Sequence, residues 1–327
     1  MNDLELTPPQ PVEPEEVAPI LIDDQLAKLG LTQRLWRAPF GGSDGGRFYF
    51  RKGFDDFYAG YSLWTKSVLG NNPGLVKWLV DKGEEGKVIS LAAREYGSAF
   101  HLFVARHESL DDPYQFTLHG KSAREWQEYM QGAIEANGIP RFYYDRWVDQ
   151  LRNDMVAYFR WKKEHQVRVL AVECPVWHDE YRIATPCDML VECLIKASPY
   201  AKVPTVPVVA AVDFKTGENG CDWDEYKLQL GFIQMAWNEL YKGTPYEITA
   251  ICNWSPKKRN LSPAGYHFPN QTGRYTEEQV RHYAKTCALM GFNRPTGSVL
   301  VFNDTPEGPT LEVEKPHNWL RNFFTNQ

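Results

Sequence analysis

Residues 206–217 read Val-Pro-Val-Val-Ala-Ala-Val-Asp-Phe-Lys-Thr-Gly. An apolar, β-branched run leads up to Asp213 and Lys215, and Thr216-Gly217 closes it. That pattern predicts a largely buried strand over Val206–Lys215. Side chains two apart in a strand share a face. Asp213 and Lys215 therefore point one way, while Val212 and Phe214 pack the other way. An acid and an amine at the end of an apolar strand are costly unless they pair or engage a metal. Asp-x-Lys alone fits either a strand-end ion pair or a reactive site.

The segments on either side narrow the choice. Upstream, Val167–Trp177 reads as a strand, His178-Asp179-Glu180 as a turn, and Tyr181–Ile195 as a second strand that Pro186 would interrupt. Asp188 lies in this second strand, in Ile183-Ala184-Thr185-Pro186-Cys187-Asp188-Met189-Leu190. Glu173 lies in the first, in Leu170-Ala171-Val172-Glu173-Cys174-Pro175. Adjacent strands are about 4.8 Å apart, so carboxylates on neighbouring strands can share a divalent cation. Three acids and a lysine, each in its own apolar strand, suit an oxygen-rich site for Mg²⁺ or Mn²⁺.

Downstream, Asp224–Tyr241 has the broad apolar face of a helix, and Tyr246–Trp254 reads as a fourth strand. A helix over about 276–291 opens at Thr276. Helical spacing also covers 73–107, 121–136 and 141–165. The order is helices, three strands, helix, strand, helix, which predicts an α/β fold with a mixed central sheet flanked by helices. Residues 1–20, rich in Pro and Glu, read as a disordered acidic tail. Residues 21–327 form one domain: a mostly helical part over 21–165, a core over 166–255 and an extension over 256–327. Gly41–Gly46 reads as a hairpin or flexible loop and lacks the Lys-Ser/Thr of a phosphate-binding loop.

The formal net charge is −6. Residues 1–30 carry seven acids against the single Lys28, so the rest of the chain is formally neutral. Charge therefore neither supports nor excludes a nucleic-acid partner. The six cysteines include no C-x-x-C pair, which argues against a zinc ribbon and for buried free thiols in a reducing compartment. No secretory signal and no run long enough to span a bilayer is evident, so the expected location is the cytoplasm.

Taken in order, Glu173, Asp188, Asp213-Phe214-Lys215-Thr216-Gly217 and Tyr226-Lys227-Leu228-Gln229-Leu230 resemble the RecB-type branch of the PD-(D/E)XK nucleases. That branch has a glutamate strand, a Gly-x-x-Asp strand, an Asp-x-Lys-Thr-Gly strand and a Gln-Leu-x-x-Tyr helix. Its upstream Gly-Thr-x-x-His helix is matched by Arg94-Glu95-Tyr96-Gly97-Ser98-Ala99-Phe100-His101. The stretch Trp64–Gly83 is similar to the lead-in of phage exonucleases of this group, and the resemblance spans about residues 60–255. It implies a restriction-endonuclease-like core with an added N-terminal helical region. Asp188, Asp213 and the backbone carbonyl of Phe214 would bind metal, with His101 as a further ligand. Glu173 would bind or orient a second metal or its waters. Lys215 would position the attacking water, and Gln229 would bond near the lysine or the DNA backbone.

The activity implied is Mg²⁺- or Mn²⁺-dependent DNA hydrolysis, more that of an exonuclease than of a site-specific endonuclease. Phage-type recombination, replication or repair would be its setting, in the host cytoplasm if phage-encoded. The partners implied are single- or double-stranded DNA and a separate helicase or recombination protein. A catalytically silent DNA-end-binding module of the same fold is the alternative. The chain departs from the branch in three places. Ala184 replaces the usual glycine of the second strand with Pro186 intruding before Asp188, Ile233 replaces the tyrosine after Gln229, and the cysteines do not match the iron–sulfur cluster of some relatives. No Fe–S centre is expected. His107, His165 and His178 are read as non-ligands, the last two at turns or on the surface. Arg141, Arg146, Arg152, Arg160, Lys162 and Lys163 are read as a solvated helix face.

Overall fold

The structure is a computed structural model. It describes residues 73–109, 140–198, 200–217, 223–257 and 264–289, short strands at 15–17, 20–23, 35–37, 48–50, 57–60, 299–305 and 308–314, and a few isolated positions. The Gly41–Gly46 loop, the Trp64–Asn72 part of the stretch Trp64–Gly83 and most of the expected 121–136 helix lie outside the described residues.

In chain order the elements begin with β1 (Glu15–Val17), β2 (Ile20–Leu21), β3 (Leu35–Arg37), β4 (Phe48–Phe50) and β5 (Phe57–Gly60). Two helices follow, α1 (Pro73–Glu108) and α2 (Phe142–Glu164). Next come β6 (Arg168–His178), β7 (Ile183–Ile195) and β8 (Val206–Phe214). The chain continues through α3 (Asp224–Leu240), β9 (Ala250–Pro256), β10 (Tyr266–His267) and α4 (Glu277–Leu289). A separate antiparallel pair, β11 (Val299–Thr305) and β12 (Gly308–Glu314), comes last. The fold is α/β with a mixed sheet, as the order of elements predicts. β5 runs parallel to β7 and β8 parallel to β9, while β6–β7 and β7–β8 are antiparallel. No described helix is long and apolar enough to cross a membrane.

The sheet has a core on each face. On one face, Ala92, Tyr96, Ala99, Phe100, Phe103 and Val104 of α1 pack with Trp147, Leu151, Met155, Tyr158 and Trp161 of α2. They cover Met189, Val191, Val212, Phe214, Cys252 and Trp254. The spacing of these helix residues is the apolar stripe of a surface helix. Phe100 stacks on Trp254 at 5.4 Å and meets Phe214 edge-on at 5.9 Å. On the other face, α3 buries Leu228, Leu230, Phe232, Ile233 and Trp237 against Leu170, Ala171, Val176 and Ala211. Both helical layers are thus fixed to the three strands that carry the acids. α1 turns at Gly83, whose φ of 54° lies in the left-handed region that glycine adopts at no steric cost.

Four sequence expectations need correction. Pro186 does not interrupt β7. It faces Pro175 of β6, so any loss of ladder bonds from the two missing N–H groups falls on a single rung. β9 begins at Ala250, because α3 claims the backbone before it. Trp237 Nε1 donates to the Tyr246 carbonyl at 2.9 Å, and Asn238 bonds both Ile248 N–H and carbonyl. The expected disordered tail over 1–20 meets strands at Glu15–Val17 and Ile20, where Val17 pairs with Leu35 and Ile20 with Val172. His165 and His178 are buried, at 4% and 6% exposure. His165 Nδ1 lies 2.6 Å from the Leu194 carbonyl, and His178 stacks on Tyr181 at 4.1 Å. The cysteines follow expectation where described: Cys174, Cys187, Cys193, Cys221 and Cys252 are buried and free.

Two stability predictions come from this packing. Phe100→Ala empties a fully buried position between sheet and helices, and should cost about 3–5 kcal/mol in chemical denaturation. Burial pushes the His165 imidazole below its ordinary value, and the Leu194 carbonyl and Glu164 offset this only in part. Burial acts likewise on His178, with Glu239 opposing. An unfolded histidine takes up its proton at about 6.5, before the folded one does. The stability these residues contribute is complete above that pH and is lost as pH falls through it toward the folded value. Between pH 7 and 5.5 the urea midpoint of wild type should therefore fall relative to that of His165→Gln, which lacks this contribution.

Candidate functional site

The site lies where β7 and β8 part. Their ladder runs from Ile195–Val206 to Met189–Val212 and stops there. The next rung would set Asp188 opposite Asp213. Instead the Asp188 carboxylate accepts the Phe214 N–H at 2.7 Å, so a side chain replaces a backbone partner. β6 covers one edge of β7 from Ile183 to Glu192. β5 shares the other edge with β8, but pairs only at Ile183 and Ala184. Thr185–Asp188 thus falls between two neighbouring strands.

Glu173 sits opposite this opening. The flanking pairs Val172–Met189 and Cys174–Cys187 put it across from Asp188. Its φ is 50°, a left-handed conformation in the middle of a strand. For a non-glycine residue this conformation costs about 1–3 kcal/mol, and such residues cluster at functional sites.

His101 comes from α1, directly after Phe100, which anchors the helix to Phe214 and Trp254. Gly97, one turn earlier, faces the Asp-x-Lys-Thr segment: a methyl group there would touch the Thr216 hydroxyl at 3.4 Å. His101 Nδ1 lies 3.5 Å from Glu173 Oε1 and 3.7 Å from Asp188 Oδ1. One ligand atom from each of the three residues lies within 4.8 Å of the others. Their side chains keep 27%, 35% and 12% of their surface, so the cluster is open to solvent on one side. Burial alone would depress the His101 imidazole, but Asp188 and Glu173 outweigh it and push it up to about 9. Burial raises Asp188, helped by Glu173 and opposed by His101.

Asp213 and Lys215 form the second half of the site. The Lys215 backbone N–H donates to the Trp254 carbonyl at 2.8 Å, which continues the β8–β9 pairing past the strand end. Lys215 Nζ donates to Asp213 Oδ1 at 2.6 Å and sits 4.1 Å from the centre of the Tyr226 ring, in the first turn of α3. The other Asp213 oxygen, Oδ2, accepts from Asn253 Nδ2 at 2.8 Å. Burial raises Asp213, with Lys215 opposing. Burial would lower Lys215, but Asp213 and Asp188 outweigh it and hold the ammonium charged.

Of the residues read from sequence, His101, Glu173 and Asp188 converge on one point, with Asp213 and Lys215 beside them. Phe214 enters through its N–H. Gln229 donates to Thr185 Oγ1 at 3.0 Å and so braces β7 from α3. Asn253 and Thr185 carry no motif. The only sequence signal for Asn253 is an amide inside the apolar run Ile251-Cys252-Asn253-Trp254. On α2, Arg160 binds Glu164 and Arg152 binds Asp149 as exposed pairs, which fits a solvated face, whereas Lys162 departs from that expectation and turns inward to the nearly buried Glu108.

One imidazole and two carboxylates suit a divalent cation such as Mn²⁺ or Mg²⁺ better than a soft one, which prefers sulfur. The nearby thiols Cys174 and Cys187 are buried, and burial raises both well above ordinary thiol values, so they are poor ligands. No family model matches this chain, and no curated protein matches its sequence.

The strained Glu173 backbone has a measurable consequence. Asparagine tolerates the left-handed region and removes one of the crowded carboxylates. In metal-free protein, Glu173→Asn should gain about 1 kcal/mol in thermal denaturation and weaken Mn²⁺ binding. Glu173→Gln removes the same charge without relieving the backbone, so a Glu173→Asn chain no more stable than Glu173→Gln would show that the conformation carries no strain.

Proposed function

We propose that this chain is a metal-dependent deoxyribonuclease of the PD-(D/E)XK superfamily, close to the RecB-type and phage exonuclease branch, hydrolysing DNA phosphodiester bonds. The observation that carries the reading is the convergence of His101, Glu173 and Asp188, from α1, β6 and β7, beside the Asp213–Lys215 pair at the end of β8. Residues far apart in sequence meet with donors of the kind the resemblance implies, although among the described residues Asp213 is not one of the three that cluster. The three strands β6–β8 with β9 added in parallel, packed between helices, are compatible with that superfamily's core.

His101, Glu173, Asp188 and Asp213 would hold Mg²⁺ or Mn²⁺, with the Phe214 backbone carbonyl as a further ligand. When bound, the ion supplies an acidified water and a Lewis acid for a non-bridging phosphate oxygen. Lys215 supplies a compact positive charge at the place where the phosphate gains charge, which favours the transition state over the ground state. Tyr226 keeps that ammonium from wandering, since a cation over a ring face is held electrostatically. Gln229, through Thr185, holds the strand that carries Asp188. Arginine would not replace Lys215, because its planar fork is wider than the point charge this corner holds. The partner is linear DNA, single- or double-stranded, with a separate helicase or recombination protein supplying any motor.

Digestion of end-labelled linear DNA with Mn²⁺, against an EDTA control, tests this directly. Wild type should degrade the DNA only with metal. Asp213→Ala should abolish degradation, and Lys215→Ala should slow it by about 10²–10³-fold. Full activity in Asp213→Ala would overturn the assignment. Wild type that binds the DNA and leaves it intact would point to a silent end-binding module instead.

A further inference from the structure

We infer that Asn253 is a positioning residue for Asp213, and that it sets the orientation of that carboxylate independently of Lys215. The inference rests on the reading of Asp213 as a metal ligand given above. β8 and β9 are parallel, with Asp213 in register with Asn253. Residues in register on parallel strands project to the same face about 4.8 Å apart, and the Asn253 amide closes the remaining gap to Asp213 Oδ2 at 2.8 Å. Asn253 is fully buried, so it touches neither solvent nor a DNA chain.

The rest of the amide is informative. Its Oδ1 is buried and has no hydrogen-bond partner among the described residues. A buried carbonyl without a donor is destabilising, and an apolar side chain like those of Cys252 and Trp254 would avoid that cost. The strand therefore carries a group whose one satisfied function is to donate to Asp213. The amide is also neutral. It fixes the carboxylate without adding a fourth anion to a corner that already holds three, as an aspartate in its place would.

Among the described residues Asp213 has two side-chain donors, and on the proposed reading only one of them stays throughout. Lys215 Nζ binds Oδ1 at 2.6 Å, but the same ammonium is the group that must turn toward a phosphate. When it does, Asn253 is the remaining donor that keeps the carboxylate plane fixed. Ligand-orienting partners of this kind typically change metal affinity or activity by about 10–100-fold when removed.

The test is Mn²⁺ titration calorimetry on the full chain in two backgrounds, with circular dichroism to check folding. Asn253→Leu should weaken Mn²⁺ binding by about 10–100-fold. In an Asp213→Asn chain the same substitution should cause no further loss, because the two act as one unit. In DNA digestion it should lower kcat with little change in KM for DNA. Wild-type Mn²⁺ affinity in Asn253→Leu overturns the inference, and so does an equal loss in both backgrounds. If Asn253→Leu fails to fold, Asn253→Ser is measured by the same pair of titrations and judged by the same outcomes. Wild type that binds Mn²⁺ but does not cut DNA removes the nuclease reading and leaves this inference standing. Wild type that does not bind Mn²⁺ removes both.

Discussion

Three carboxylates are held together in a partly desolvated corner, and most of what is unusual in this structure answers to that crowding. Like charges at this range push each other toward the protonated form, and burial pushes the same way. Asp188 and Asp213 both move in that direction. Among the described residues, two cations answer them. His101 is driven up to about 9 by Asp188 and Glu173 against the effect of its own burial. Lys215 is held charged by Asp213 and Asp188. A divalent cation is the more effective counter-charge, since one ion faces several carboxylates at once. Under the proposed function, a cation held by His101 would displace the proton on that imidazole, so binding and proton release would be linked.

The fold bears this cluster by breaking its own regularity in two places. β8 leaves the ladder after Val212, and the Phe214 N–H is satisfied by a carboxylate rather than by strand backbone. Glu173 takes a left-handed conformation in mid-strand. Either feature would weaken a strand in isolation. Here the strands are pinned on both faces, by Phe100, Tyr158 and Trp161 on one side and by α3 on the other. The aromatic set around Phe214 and Trp254 lies directly behind the site, so the rigid part of the core and the irregular part of the sheet are neighbours.

Much of this was legible in the sequence, and what was missed has a common cause. β6 is expected at Val167–Trp177 and found at Arg168–His178, and α3 is expected to within a residue, because alternation and helical spacing are local signals. The acids could be singled out because a lone carboxylate in an apolar strand stands out from its neighbours. The residues misread are those whose state is set by a distant partner. β9 starts late because Trp237, Asn238 and Gln234 of α3 claim the preceding backbone. His178 stacks on the nearby Tyr181, but it also meets Glu239 near the end of α3, a partner remote in sequence. Pro186 is tolerated because Pro175 faces it, which no pattern within one strand reveals. Asn253 acquires its role only through the parallel register of β8 and β9.

Anomalous diffraction from a crystal of the protein soaked in Mn²⁺ is the most direct measurement of whether these side chains form a metal centre. The expected result is a strong peak within bonding distance of His101, Glu173 and Asp188, on the side where Asp213 and Lys215 meet. A map with no peak there, or with Mn²⁺ bound only at unrelated surface carboxylates, would contradict it.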